Sequence, residues 1–218
     1  PTKPLTAYPG GPLELVPALG RLTVTLQATG PFPALMDYRT VVRRLTERLQ
    51  TRFAPGLLDP HREALERICE TLPWDSATHV SSHNDPNPRN ILFDGERLWL
   101  VDWETAYRND PLVDLAILSD NLAPTPELAE ALLEAWLNRE AEAEHRQRLK
   151  VLRSLTRLYY AGLLATLIAP ATPVVSDLAA PSREEFTRGI ADGSLKFAAA
   201  ETRVTLVKMS LAGFLESL

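Results

Sequence analysis

Apolar residues recur at three- and four-residue steps along most of the chain, and the places where that rhythm fails carry the most information. Residues 1–12 hold four prolines and the pair Gly10-Gly11, which predicts an extended or looped start. A helix is predicted to open near Pro17, and residues 30–33 break the pattern. From Asp37 the rhythm strengthens. Val41, Val42, Leu45, Leu49 and Phe53 line one face, arginines fill the other, Asp37 can cap the helix, and Pro55-Gly56 ends it. A second helix is predicted over 59–72, with Leu65, Ile68 and Cys69 facing inward. Residues 78–80 are strand-like. Ile91-Leu92-Phe93, the turn Asp94-Gly95 and the apolar run 98–101 then predict a β-hairpin. Helices return at Asp110-Pro111, at Pro124 and Pro126 through Leu137, over 142–168, from Ser182, and over 202–215. The predicted body is mainly α with one small hairpin, and residues 83–102 lie on its one non-helical surface, where loops usually carry function.

Composition narrows the function classes. The chain has 218 residues, enough for one sizeable domain or one lobe of a larger enzyme. A net charge of −5 supplies no broad cationic field, so nucleic acid is not an expected partner. No apolar run approaches the roughly 20 residues of a membrane helix, and no membrane partner is expected. One cysteine, Cys69, permits no internal disulfide or Cys/His zinc spacing, which favours a reducing, cytoplasmic setting. Its place on a helix face marks it as a core residue.

The loop before the hairpin carries the chemistry. It reads His83-Asn84-Asp85-Pro86-Asn87-Pro88-Arg89-Asn90, and the hairpin is followed by Val101-Asp102-Trp103-Glu104. The spacing H-x-D-x-x-x-x-N is that of the protein-kinase catalytic loop, and Asp102 falls where kinases place the aspartate of D-F-G. Phosphoryl transfer needs a carboxylate to accept a hydroxyl proton and oxygen ligands for Mg²⁺. Asp85 suits the first task. Asn90 and Asp102, on either side of a hairpin, suit the second. The bland alternative is that all three are turn residues, since Asn and Asp side chains favour turns.

The whole run HNDPNPRNILFDGERLWLVDWE, continued by Asn109-Asp110-Pro111 and Asp114-Leu115-Ala116, resembles the signature of the aminoglycoside phosphotransferase and choline kinase superfamily. The likeness is concentrated in residues 79–118 and is nearest to choline- and ethanolamine-kinase-like members. It implies that Asp85 is the catalytic base and that Asn90 and Asp102 are Mg²⁺ ligands. It also implies that His83 supports the loop and that Asp114 is buried, accepting hydrogen bonds from the loop backbone. Glu104 and Asn87 are candidate substrate or metal contacts. Pro86 stands where the family usually has leucine, and Glu104 where protein kinases have the glycine of D-F-G.

The fold class implied is the C-terminal lobe of a protein-kinase-like α+β fold. Residues 1–12 would be the end of a missing N-terminal lobe or a hinge. Residues 13–218 would form the helical C-lobe, with catalytic loop and hairpin at 79–104. The nucleotide lobe is expected to be absent from this chain: no G-x-G-x-x-G occurs, and Lys3 is the only lysine before Lys150. The first methionine is Met36, so a truncated start is also expected. The activity implied is ATP- and Mg²⁺-dependent phosphorylation of a hydroxyl on a small molecule: a choline- or ethanolamine-like amino alcohol, an aminoglycoside or a sugar-like metabolite. The rival reading is a non-catalytic kinase-like binding domain.

Overall fold

The computed structural model describes residues 2–218. In chain order the elements are α1 (Pro12–Gln27), α2 (Tyr38–Gln50), α3 (Asp59–Thr71), β1 (Val80–Ser82), β2 (Ile91–Phe93), β3 (Leu98–Leu100), β4 (Tyr107–Asn109), α4 (Val113–Leu122), α5 (Pro126–Leu137), α6 (Ala143–Thr166), α7 (Arg183–Ala191) and α8 (Ala200–Glu216). Short 3-10 turns occur at Leu5–Ala7, Ser76–Thr78 and Trp103–Thr105. The chain divides into two compact units, both discontinuous in sequence: residues 1–37 with 73–153, and residues 38–72 with 154–218. No described helix is long and apolar enough to cross a membrane.

In the first unit α1 packs along α5 and touches α4. The helix begins at Pro12, five residues before the predicted start near Pro17. Pro12 takes the first helical position, where no N–H is needed. Pro17 sits inside the helix and deprives Leu13 of a carbonyl partner. Leu13 is 74% exposed, so water can take that place. Leu15, Val16, Leu19 and Leu26 are buried. A Cβ on Gly20 would stand 2.7 Å from the Leu132 carbonyl oxygen, so this contact between α1 and α5 requires glycine. Gln27 fixes the far end: its Nε2 donates to Pro111 O at 2.7 Å, and its Oε1 accepts from Trp136 Nε1 at 2.8 Å.

Two small antiparallel sheets replace the single hairpin expected. The predicted hairpin is β2–β3, with Ile91 opposite Leu100 and Phe93 opposite Leu98. Asp94 Oδ1 accepts from Glu96 N and Arg97 N, Oδ2 accepts from the Trp99 indole, and Gly95 takes φ 109°. Those three donors hold the Asp94 carboxyl down at about 2. The second sheet pairs β1 with β4, Val80 opposite Asn109 and Ser82 opposite Tyr107. The strand-like stretch expected at 78–80 begins only at Val80, because Thr78 closes a 3-10 turn capped by Asp75. The helix expected from Asp110-Pro111 begins at Val113, with Asp110 Oδ1 accepting from Leu112 N at 3.0 Å.

The second unit is helical. Val42, Leu45 and Leu49 of α2 are buried, as are Ala64, Leu65, Ile68 and Cys69 of α3 and Val207, Leu211 and Phe214 of α8. The arginine face of α2 is partly engaged: Arg43 grips Glu66 of α3 with two nitrogens. A capping box of Ser182 and Glu185 opens α7. His61 is buried against Phe214, with Nε2 at 3.2 Å from Leu211 O and no hydrogen-bond partner for Nδ1 among the described residues.

Gly20→Ala is expected to destabilise the chain. Alanine would gain about 1 kcal/mol of helix propensity, but overpacking against backbone costs about 1–3 kcal/mol. A urea midpoint raised by the substitution would contradict the α1–α5 contact. His61 gives a second expectation. Burial lowers its pKa, so the unfolded chain takes up the proton first as pH falls. Its contribution is complete above the unfolded value of about 6.5 and is lost below it. Denaturation midpoints at pH 7.5 and 5.5 should differ more in the native chain than in His61→Leu; equal differences would refute the assignment.

Candidate functional site

The loop between β1 and β2 is held from below by one side chain. Asp114, in the first turn of α4, is buried and receives two backbone N–H groups: His83 N on Oδ2 and Asn84 N on Oδ1, each at 2.8 Å. The helix N-terminus also favours a carboxylate there. Burial pushes the Asp114 carboxyl up from the usual range, and the two N–H bonds pull against it. The link between α4 and the loop follows from the β1–β4 pairing, because β4 leads into α4.

Asn84 takes φ 63°, a left-handed conformation that asparagine tolerates better than most residues. Its Nδ2 donates to Ser82 O, Thr105 O and Tyr107 O at 3.3, 3.0 and 3.2 Å. Its Oδ1 accepts from Asn109 Nδ2 at 2.7 Å. Thr105 Oγ1 donates to His83 O at 3.0 Å. Asn109 Oδ1 accepts from Asp110 N, and Asp110 pairs with Arg148 at the start of α6. Sequence reasoning missed Asn84, Thr105 and Asn109. The signal available was the recurrence of Asn-Asp at 84–85 and 109–110.

Asp85 follows directly and is half-buried. Asn90 Nδ2 donates to Asp85 O at 2.9 Å and to Asp85 Oδ2 at 3.1 Å. This leaves Asn90 Oδ1 with no donor among the described residues. Val101 N donates to Asn90 O at 3.0 Å, which sets Asp102 one residue beyond the base of the hairpin. Asp102 takes φ 67° and ψ 65° and is exposed, and its carboxylate has no hydrogen bond or ion pair among the described residues. Glu104 is exposed in the turn that follows. Asn87 shapes the loop: its Oδ1 accepts from Arg89 N and its carbonyl from Asn90 N, both at 2.9 Å. His83 is fully buried, with Nε2 donating to Val101 O at 2.9 Å and its ring 4.8 Å from that of Trp103.

Asp85 and Asn90 are therefore in direct contact, and Asp102 is tied in through Val101 and His83. Among the described residues no three His, Cys, Asp or Glu side chains gather into a metal cluster. The donor set still fits Mg²⁺, which is commonly held by one or two protein oxygens together with water and substrate phosphates. Asn90 Oδ1 and the Asp102 carboxylate are hard oxygens that no donor among the described residues occupies.

The sequence model of the phosphotransferase enzyme family matches residues 3–152. The chain belongs to that family. Protein LicA of Haemophilus influenzae is 41% identical over 56 residues, 26% of this chain and 21% of that protein. A choline/ethanolamine kinase family protein from Mesorhizobium loti has a similar structure at 24% identity and TM-score 0.64, covering 98% of this chain and 71% of that one. LicA in complex with AMP is similar at 15% identity and TM-score 0.62, covering 94% and 63%. At these identities the two structures establish the kinase-like fold and nothing finer. The chain spans about two-thirds of their length.

Asp114→Ala is expected to be severe, because it orphans two buried N–H groups at about 1–3 kcal/mol each. A loss on the order of 3 kcal/mol in urea denaturation is the expected outcome. A change below about 0.5 kcal/mol, the level of ordinary surface substitutions, would show that the loop does not depend on this carboxylate.

Proposed function

We propose that this chain is the catalytic lobe of an ATP:alcohol phosphotransferase acting on a small hydroxylated molecule, with amino alcohols of the choline and ethanolamine kind the first candidates and aminoglycosides or sugar-like metabolites the next. The observation that carries the reading is the Asp85–Asn90 contact, followed across the hairpin by an Asp102 carboxylate without a partner among the described residues, within a family of phosphotransferases. The family membership supports the reaction class. The AMP complex of a structural neighbour supports a nucleotide donor.

In this reading Asp85 accepts the proton of the acceptor hydroxyl. Its carboxylate is oriented by the Asn90 amide, so little reorganisation is needed when the hydroxyl arrives. Asn90 Oδ1 and Asp102 would hold Mg²⁺, which when bound offsets the charge of the phosphates. His83 serves as a prop: its ring spans from the loop to Val101, immediately before Asp102.

The test is ATP turnover with Mg²⁺ by the full-length gene product over a panel of choline, ethanolamine and aminoglycosides, since this lobe without a nucleotide lobe is expected to be inactive by itself. Asp85→Asn should lower kcat on the order of 10²-fold or more with KM for ATP little changed, since the base acts in the chemical step. Asp102→Asn should weaken nucleotide affinity and shift the Mg²⁺ dependence as well as the rate. Near-native kcat in Asp85→Asn on an accepted substrate would refute the base assignment and favour a kinase-like binding domain.

A further inference from the structure

The Asn84 side chain lies between the two halves of the site. Asp85 is the next residue along the chain, while Thr105 and Tyr107 belong to the segment that begins at Asp102. Through one buried amide, the strand before Asp85 and the segment after Asp102 share a single set of hydrogen bonds. Asn109 completes the set from β4, and Thr105 returns a bond to His83 O. A buried amide with both ends engaged is poorly replaced. Water has no access, and a carboxylate would meet carbonyl oxygens with the wrong sign.

We propose that Asn84, fixed by Asn109 and reinforced by Thr105, is a positioning residue that sets the placement of Asp102 relative to the Asp85–Asn90 pair. Asn84 touches neither substrate nor metal. It acts by preventing the turn Trp103–Thr105 from sliding against the loop, and with it the metal-side carboxylate. This proposal rests on the assignment of Asn90 and Asp102 as metal ligands. It adds that a hydrogen-bond network that includes neither ligand determines whether those oxygens bind one ion together. Outer-shell partners of this kind typically govern metal affinity by about 10–100-fold. Left-handed backbone at both Asn84 and Asp102 fits the same picture, since both residues are held where an isolated chain would rarely place them.

The test uses the full 218-residue chain and Mn²⁺ as a paramagnetic probe, read by NMR line broadening of the Trp103 indole N–H and the Asn90 side-chain amide. Asn84→Gly removes the amide while keeping a residue at ease with positive φ. It should keep dispersed amide resonances and weaken Mn²⁺-dependent broadening at the hairpin by about 10–100-fold in midpoint. Thr105→Val removes one edge bond and serves if Asn84→Gly does not fold; it should shift the midpoint in the same direction by a smaller factor. Asp102→Asn should abolish the effect. If Asp102→Asn abolishes broadening but a folded Asn84→Gly and Thr105→Val leave it unchanged, the positioning role is overturned and the metal assignment stands. If Asp102→Asn leaves the native midpoint unchanged, or the native chain shows no broadening there, the metal assignment falls and this proposal with it.

Discussion

Two backbone N–H groups converging on one buried carboxylate hold the loop 83–90 to the rest of its unit. Burying Asp114 is costly, and the two short bonds partly offset that cost. A carboxylate that is buried and doubly bonded has one low-energy position, so the loop inherits the position of α4. That helix is in turn located by apolar packing against α1 and α5, and by Gln27, which bonds both Pro111 and Trp136. The geometry around Asp85 is therefore determined by packing well away from the loop.

Around that carboxylate the interior is unusually polar. Ser81, Ser82, His83, Asn84, Asn109, Asp110 and Asp114 are all buried within or beside the β1–β4 ladder. Three paired residues make a marginal sheet. Side-chain bonds supply what strand length does not. Each one fixes a direction as well as a distance, which an apolar core of the same volume would leave open. Asp85, Asp102 and Glu104 lie at the edge of this network, more exposed than the residues that support them. Rigid buried polar groups beneath accessible carboxylates suit a site that must keep its shape while exchanging ligand and water.

Most helices were legible because their faces alternate with helical period: Val42, Leu45 and Leu49 are buried where the pattern requires it. The hairpin was legible from Asp94-Gly95 and its flanking apolar triplets. The first helix was misjudged because Pro17 reads as a start, whereas an exposed Leu13 lets a proline sit in the second turn. Beyond the strand-like stretch that ends at Val80, the pairing of β1 with β4 was invisible for another reason. Its strands are three residues long, lie far apart in sequence, and hold Ser, Tyr, Arg and Asn rather than alternating hydrophobics. The contact of Asp85 with Asn90 corresponds to a spacing visible in the sequence. The bracing by Asn84, Thr105 and Asn109 does not, since buried amides and hydroxyls look like ordinary loop residues until their partners are known.

The interleaving of the two compact units has a consequence for how the polypeptide acquires its structure. Residues 12–27 are made well before their principal packing partner, α5, which arrives only after residues 38–122 have been made. Until then the apolar face of α1, with Leu15, Val16 and Leu19, has nothing native from α5 to cover it. Neither unit can be excised as one continuous fragment. Nascent chains halted before residue 126 should accordingly be the aggregation-prone species, and ready engagement by chaperones that bind exposed apolar helices is the natural corollary of this chain order.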